Sequence, residues 1–213
     1  MTRLQATLVT TCITVFCAAT AIADDAFVTE KSTDRTFPRE ITLRHGETDI
    51  QLQVTGTTVR KKFIVKVYAI AHYMDTASFA GVDEALDAAR SGSHISQITM
   101  EFARGVGSKK IRDAYRKGFE KNSSESDFSE LRPLIALFVA YFDSDMEKNE
   151  QIVLRRFPDG TIMTVVAGDE KDALRDEKFA SVLWDIWLGE HSIVDRKKLV
   201  NLALAEEKED EEE

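Results

Sequence analysis

The stretch QIVLRRFPDGTIMTVVA, Gln151 to Ala167, fixes the class of this chain. Two runs rich in β-branched residues flank Pro158-Asp159-Gly160, a tripeptide that presets φ at its first position and allows positive φ at its last, so the stretch reads as a β-hairpin. Upstream, Ile41 to Val54 is two alternating runs around the turn signal His45-Gly46-Glu47. From Lys62 to Met74 one strand-like run puts Phe63, Val65, Val67, Ala69 and Ala71 on one face and Ile64, Lys66, Tyr68, Ile70 and His72 on the other. Period two and richness in Val, Ile and aromatics favour strand over helix. His94 to Phe102 is a further strand.

Helical spacing fills the gaps between these strands. Asp83 to Arg90 has an acidic first turn and stops at Ser91-Gly92. A helix from about Ser108, capped by that serine, places Ile111, Tyr115 and Phe119 four apart on one face. Phe128 to Phe142 is strongly apolar and helical, with Pro133 in its first turn or at a kink. Lys178 to Leu188 turns Phe179, Val182, Leu183, Ile186 and Trp187 inward, and Gly189 is placed to cap it. A last helix is expected from Asp195 to Ala205. Strands, then helices, a hairpin and more helices predict an α+β domain with an antiparallel sheet covered on one side.

The ends read differently. Arg3, then an uncharged run from Leu4 to Ala23 closing on Ala21-Ile22-Ala23 before Asp24-Asp25, has the layout of a secretory signal peptide. A membrane-spanning helix needs roughly 20 strongly apolar residues, and Thr7, Thr10, Thr11, Thr14 and Thr20 dilute this run. The expected organisation is a signal peptide over 1–23, a flexible segment over 24–39, one domain over 40–205 and a disordered acidic tail over 206–213. Both cysteines, Cys12 and Cys17, fall inside the signal segment, so the exported chain is expected to lack disulfides and thiol chemistry. The bulky Phe16 and the polar Thr11 just before them argue against lipid attachment. About 190 remaining residues suffice for one core that buries roughly two thirds of the unfolded surface.

The net charge is −9, and nucleic acid is a poor partner for such a chain. His45, His72, His94 and His191 show no i,i+3 or i,i+4 pairing and no nearby cysteine, so no metal and no cofactor is expected. Arg104 to Lys110, RGVGSKK, lacks P-loop spacing and reads as a strand-to-helix turn. Arg60 and Tyr68 are eight residues apart. If the strand begins at Arg60, the even count puts both on one face of the sheet, where a guanidinium fork and a phenol would suit a carboxylate or oxyanion.

Four segments resemble the chalcone isomerase superfamily. Gly56-Thr57-Thr58-Val59-Arg60-Lys61-Lys62 with Val65 to Tyr73 is similar to its glycine-arginine turn and central strand. Lys110-Ile111-Arg112 with Tyr115 and Asn122 is similar to a second family segment, Phe157-Pro158-Asp159-Gly160 to its hairpin, and Val182 to His191 to its last helix and the Gly-Glu-His that ends it. The resemblance runs over nearly all of residues 40 to 205 and implies an open-faced sandwich, a curved antiparallel sheet covered on one face by helices with an apolar cleft between. It matches Arg60 to the arginine that steadies the oxyanion in the plant enzymes, and Tyr115 and Asn122 to cleft residues. A catalytic threonine, a cleft lysine and a helix threonine are matched instead by Tyr68, Gly118 and Ile186. The resemblance thus fits better the relatives that bind fatty acids without catalysis. Together with the signal layout, which gives an exported, periplasmic protein, it implies that Arg60, Tyr68, Tyr115 and Asn122 bind a small apolar ligand with an acidic head group. The rival readings are an isomerase of the intramolecular lyase type and an envelope protein-interaction module.

Overall fold

The computed structural model of the chain describes residues 26–76 and 78–205. The signal segment 1–23 and the acidic tail 206–213 lie outside the described residues.

A separate hairpin and an eight-stranded meander make up the β structure among the described residues. Phe27–Glu30 (β1) pairs with Arg35–Pro38 (β2) as a separate two-stranded unit. Glu40–His45 (β3), Thr48–Lys62 (β4), Val65–Met74 (β5), Ser96–Phe102 (β6), Gln151–Arg156 (β7) and Thr161–Val166 (β8) pair antiparallel, each with the next in sequence. Two short strands, Asp169–Glu170 (β9) and Leu174–Arg175 (β10), complete an eight-stranded sheet. Helices Val82–Ser91 (α1), Ser108–Lys121 (α2) and Glu125–Ala140 (α3) are inserted between strands, and Glu177–Leu188 (α4) follows them. The result is a curled antiparallel sheet with four helices, an open-faced α+β sandwich, as the sequence predicts.

Alternation along the strands decides what each face buries. Tyr68, Ile70 and Met74 of β5, Ile98, Met100 and Phe102 of β6, and Ile152 and Leu154 of β7 pack under the helices. Helix α4 buries Phe179, Ala180, Val182, Leu183, Trp184, Ile186, Trp187 and Leu188. An element apolar nearly all round belongs in the middle of a core, and α4 contacts α1, α2 and α3 there. Ala69, Ala71 and Tyr73 face the other way, into a smaller cluster with Phe37, Leu43, Leu52 and Val54.

Where a flexible segment is expected over 24–39, residues 27–38 form a hairpin that contributes Phe37 to this second cluster. The β1–β2 hairpin lies on the open face: Tyr73 donates to the Pro38 carbonyl at 3.0 Å, and Arg35 bonds the Phe102 carbonyl at 2.8 Å while pairing with Glu101 at 3.1 Å. Its order comes from contacts more than thirty residues away in sequence, which no local period reports.

The expected single strand from Lys62 to Met74 is instead two strands reversing at Phe63-Ile64. The turn carries none of the usual turn residues, and Phe63 holds a φ of +55°. The expected helix from Asp195 to Ala205 shrinks to a single 3-10 turn, Arg196–Leu199. The chain around it bonds other elements: Thr55 donates to the Leu199 carbonyl at 2.7 Å, Leu202 N–H to the Thr55 carbonyl at 2.8 Å, and Ala205 N–H to the Phe79 carbonyl at 2.9 Å. Backbone groups spent on such a strap are not free for a helical ladder.

Pro133 sits in the interior of α3, beyond its first turn, and the helix continues through it to Ala140. Ser108 does not cap α2; the Asp145 carboxylate accepts its N–H at 2.8 Å. Gly189 caps α4 as expected, its N–H donating to the Asp185 carbonyl at 3.0 Å from an extended backbone, and a Cβ there would stand 2.7 Å from that same oxygen.

Candidate functional site

Arg60 and Tyr68 are direct partners across the β4–β5 hairpin. Opposed residues in an antiparallel pair point to the same face, so the two side chains share the helix-covered side, by a route other than the single strand read from sequence. Arg60 donates from Nη1 to the Ile193 carbonyl at 2.5 Å, in the chain that leaves α4. Tyr68 is 8% exposed, and its hydroxyl accepts from Trp187 Nε1 at 3.0 Å. Burial pushes the Tyr68 phenol up to about 12, against the smaller opposing pulls of the Trp187 N–H and the Arg60 charge. Tyr68 therefore stays a neutral donor throughout the ordinary pH range.

Tyr115 comes from α2 to the same place. Its ring stacks on Phe142 at 4.7 Å and meets Phe138 and Trp187 edge-on at 5.0 and 6.1 Å. Burial first, and the nearby Tyr68 second, hold its hydroxyl well above the ordinary phenol range. That hydroxyl has no hydrogen-bond partner among the described residues. An unpaired buried hydroxyl costs about 1 to 3 kcal/mol, a cost that an incoming polar ligand atom would offset.

Asn122 does not join them. It stands seven residues after Tyr115, two helical turns or about 10 Å along the axis, where its amide caps α2 by donating to the Gly118 carbonyl at 2.9 Å. There it lines a surface hollow of about 350 Å³ with Arg90, Asp185, Glu190 and His191. The structure also closes the cleft expected between sheet and helices, filling the space around Tyr68 and Tyr115 with Phe102, Phe138, Phe142 and Trp187. Sequence reasoning placed Trp187 in the core but missed its bond to Tyr68, 119 residues away. The Ile193 carbonyl left no sequence signal, since any residue could supply it.

Gly118 and Ile186 explain each other. A Cβ on Gly118 would lie 2.7 Å from Ile186 Cδ1 and 2.9 Å from its Cγ1, so the glycine is what lets α2 approach α4 over this isoleucine. Ile186 is buried and cannot swing away. Gly118→Ala should therefore destabilise the protein by about 1 to 2 kcal/mol through overpacking, although alanine alone favours a helix interior by about 1 kcal/mol. In an Ile186→Ala background the sign should reverse. Chemical denaturation of the four proteins in this cycle reads the coupling; additive effects would show that the two side chains do not meet.

The chain matches the chalcone isomerase-like family over residues 30–199. It belongs to that family. Its fold also matches the crystal structure of an Arabidopsis thaliana fatty-acid binding protein, with a TM-score of 0.68 and 17% identity, over 83% of this chain and 97% of that one. Likeness at that identity shows the fold alone. No curated protein sequence matches the chain. In this chalcone isomerase-like protein, then, the glycine-arginine turn lies within β4 of the β4–β5 hairpin, and the three cleft departures, Tyr68, Gly118 and Ile186, are buried or packed against neighbouring helices. Among the described residues no cluster of His, Cys, Asp and Glu could hold a metal, and no helix is long and apolar enough to cross a membrane.

Proposed function

We propose that this chalcone isomerase-like protein is exported, to the periplasm, and there binds a small apolar ligand with an acidic head group, such as a fatty acid, without converting it. The observation that carries the reading is the meeting of a guanidinium, Arg60, with two buried phenols, Tyr68 and Tyr115, beneath an aromatic wall. The guanidinium offers a fork of donors to a carboxylate, and the neutral phenols add hydroxyl donors without opposing charge. The Ile193 carbonyl occupies one Arg60 donor and would be displaced or joined by the head group. An acyl tail would part the rings around Trp187, with about 0.8 kcal/mol gained for each CH2 it buries. The fatty-acid binding protein of the same fold supports this ligand class.

Catalysis is disfavoured by the same geometry. The position matched to a cleft lysine is Gly118, and Ile186 already fills the space over it. Removing one oxyanion donor costs about 10²- to 10³-fold in other enzymes. The purified protein should therefore cyclise chalcones no faster than buffer. Native mass spectrometry of protein taken from its own envelope should give a chain beginning at Asp24 with an apolar acid bound. A chain beginning at Met1 would sink the export claim, and stereoselective chalcone turnover the non-catalytic one.

A further inference from the structure

The reversal between β4 and β5 breaks three local rules at once. Phe63 and Ile64 are 90% and 95% exposed, and Val65 beside them is 38% exposed, although large apolar side chains elsewhere on the described chain are mostly buried. Phe63 adopts a φ of +55°, a conformation that glycine or asparagine takes without strain and that a bulky side chain takes only at a cost. Lys61 and Lys66 are cross-strand partners, and like charges directly opposite repel. Folding alone would favour another sequence here.

The charge around the tip is as unusual. From Ile50 to Met74 the chain carries Arg60, Lys61, Lys62 and Lys66 with no Asp or Glu, in a protein of net charge −9. Lys66 is tethered by a bond to the Ser32 carbonyl, and the neighbouring β1–β2 turn adds Lys31 and Asp34, which cancel. β6 pairs with β5 only from Tyr68 onward, and β3 pairs with β4 only up to Gln53, so Lys61 to Lys66 projects past the sheet on both sides.

We propose that this tip docks the protein on a lipid bilayer carrying anionic headgroups, with Phe63 and Ile64 entering the interface and Lys61, Lys62 and Lys66 lying over the phosphates. Charge complementarity selects this occupant: an apolar point ringed by cations fits an apolar layer beneath an anionic plane. A bilayer would bury the exposed side chains and neutralise the facing lysines. The tip also sits three residues from Arg60, so a docked hairpin would bring the Arg60 and Tyr68 pair close to the membrane surface. The proposal does not depend on ligand binding there.

Vesicle flotation tests it. The purified exported chain is mixed with vesicles of phosphatidylcholine alone, or with about 30% phosphatidylglycerol, free of fatty acid. The protein should float with the anionic vesicles and release as salt rises. Phe63→Asn/Ile64→Gly installs a loop that accepts positive φ, so it should fold at least as well while partitioning about 100-fold more weakly. Lys61→Gln and Lys62→Gln should each cost about fivefold on anionic vesicles and little on neutral ones. The comparison is made on the exported chain beginning at Asp24, which lacks the apolar run of residues 4–23. Equal flotation of parent and tip variant, or none by the parent, overturns the proposal. So does a parent that self-associates through the tip, seen by sedimentation velocity and lost in the variant, without vesicle binding.

Discussion

Arg60→Gln should weaken the binding of a long-chain fatty acid by about 10- to 150-fold. A charge-assisted hydrogen bond contributes about 1.5 to 3 kcal/mol, and tenfold in affinity is about 1.4 kcal/mol. The fold should survive the change, because Arg60 is only partly buried and makes one bond to a loop carbonyl. What glutamine cannot supply is charge or the paired fork. The alcohol of the same chain length should bind weakly to both proteins, since it offers no anion to the guanidinium. Titration calorimetry with acid and alcohol on both proteins measures this, with far-ultraviolet circular dichroism to confirm folding. Equal affinity of both proteins for the acid would remove Arg60 from the site; if the parent bound neither compound, the interaction-module reading would become the better one.

The same pair of residues shows what sequence can and cannot reach. Arg60 and Tyr68 lie on one face, but cross-strand register puts them there and not the even spacing, because the chain between them reverses at Phe63-Ile64. A turn built from Phe and Ile gives no composition signal, because its positive φ is held by the strands on either side. Spacing also gave the face of Tyr115 on α2, and the resemblance paired it with Asn122, but neither gave their depth, and the structure leaves Asn122 at a helix end while Tyr115 reaches the core. The hairpin of residues 151–167 was legible because its turn chemistry and alternation are both local. The β1–β2 hairpin and the C-terminal strap were not, because distant partners such as Tyr73 and Thr55 hold them. Trp187, an ordinary core residue by sequence, became part of the site only when folding brought it onto Tyr68.

His72 should make the protein acid-sensitive to an unusual degree. It is fully buried, on the helix-covered face of β5, with Nδ1 2.6 Å from Thr55 Oγ1 and with no partner for Nε2 among the described residues. The Thr55 hydroxyl has one proton, and the Leu199 carbonyl at 2.7 Å can only accept it. The arrangement that satisfies all three groups has Thr55 donating to Leu199 and His72 Nδ1–H donating to Thr55, which leaves Nε2 as the bare nitrogen. Protonating Nε2 would bury a cation without a partner, and burial pulls the His72 pKa down to about 3 from 6.5. Between those two pH values the unfolded chain holds a proton that the folded chain refuses, so stability rises with pH across the window and falls as pH drops through it. The loss on going from about pH 7 to about pH 4.5 should be roughly 3 kcal/mol from this one group, levelling off below about pH 3. His72→Asn keeps a donor near Thr55 and removes the titration. It should be less stable than the parent at neutral pH, through the volume it loses, yet lose roughly 3 kcal/mol less on acidification. Urea unfolding of both proteins at the two pH values isolates this difference, since the carboxylates common to both cancel. If the two proteins lost stability in parallel, His72 would have to be charged or solvated in the folded state, and the bare nitrogen in the core would be ruled out.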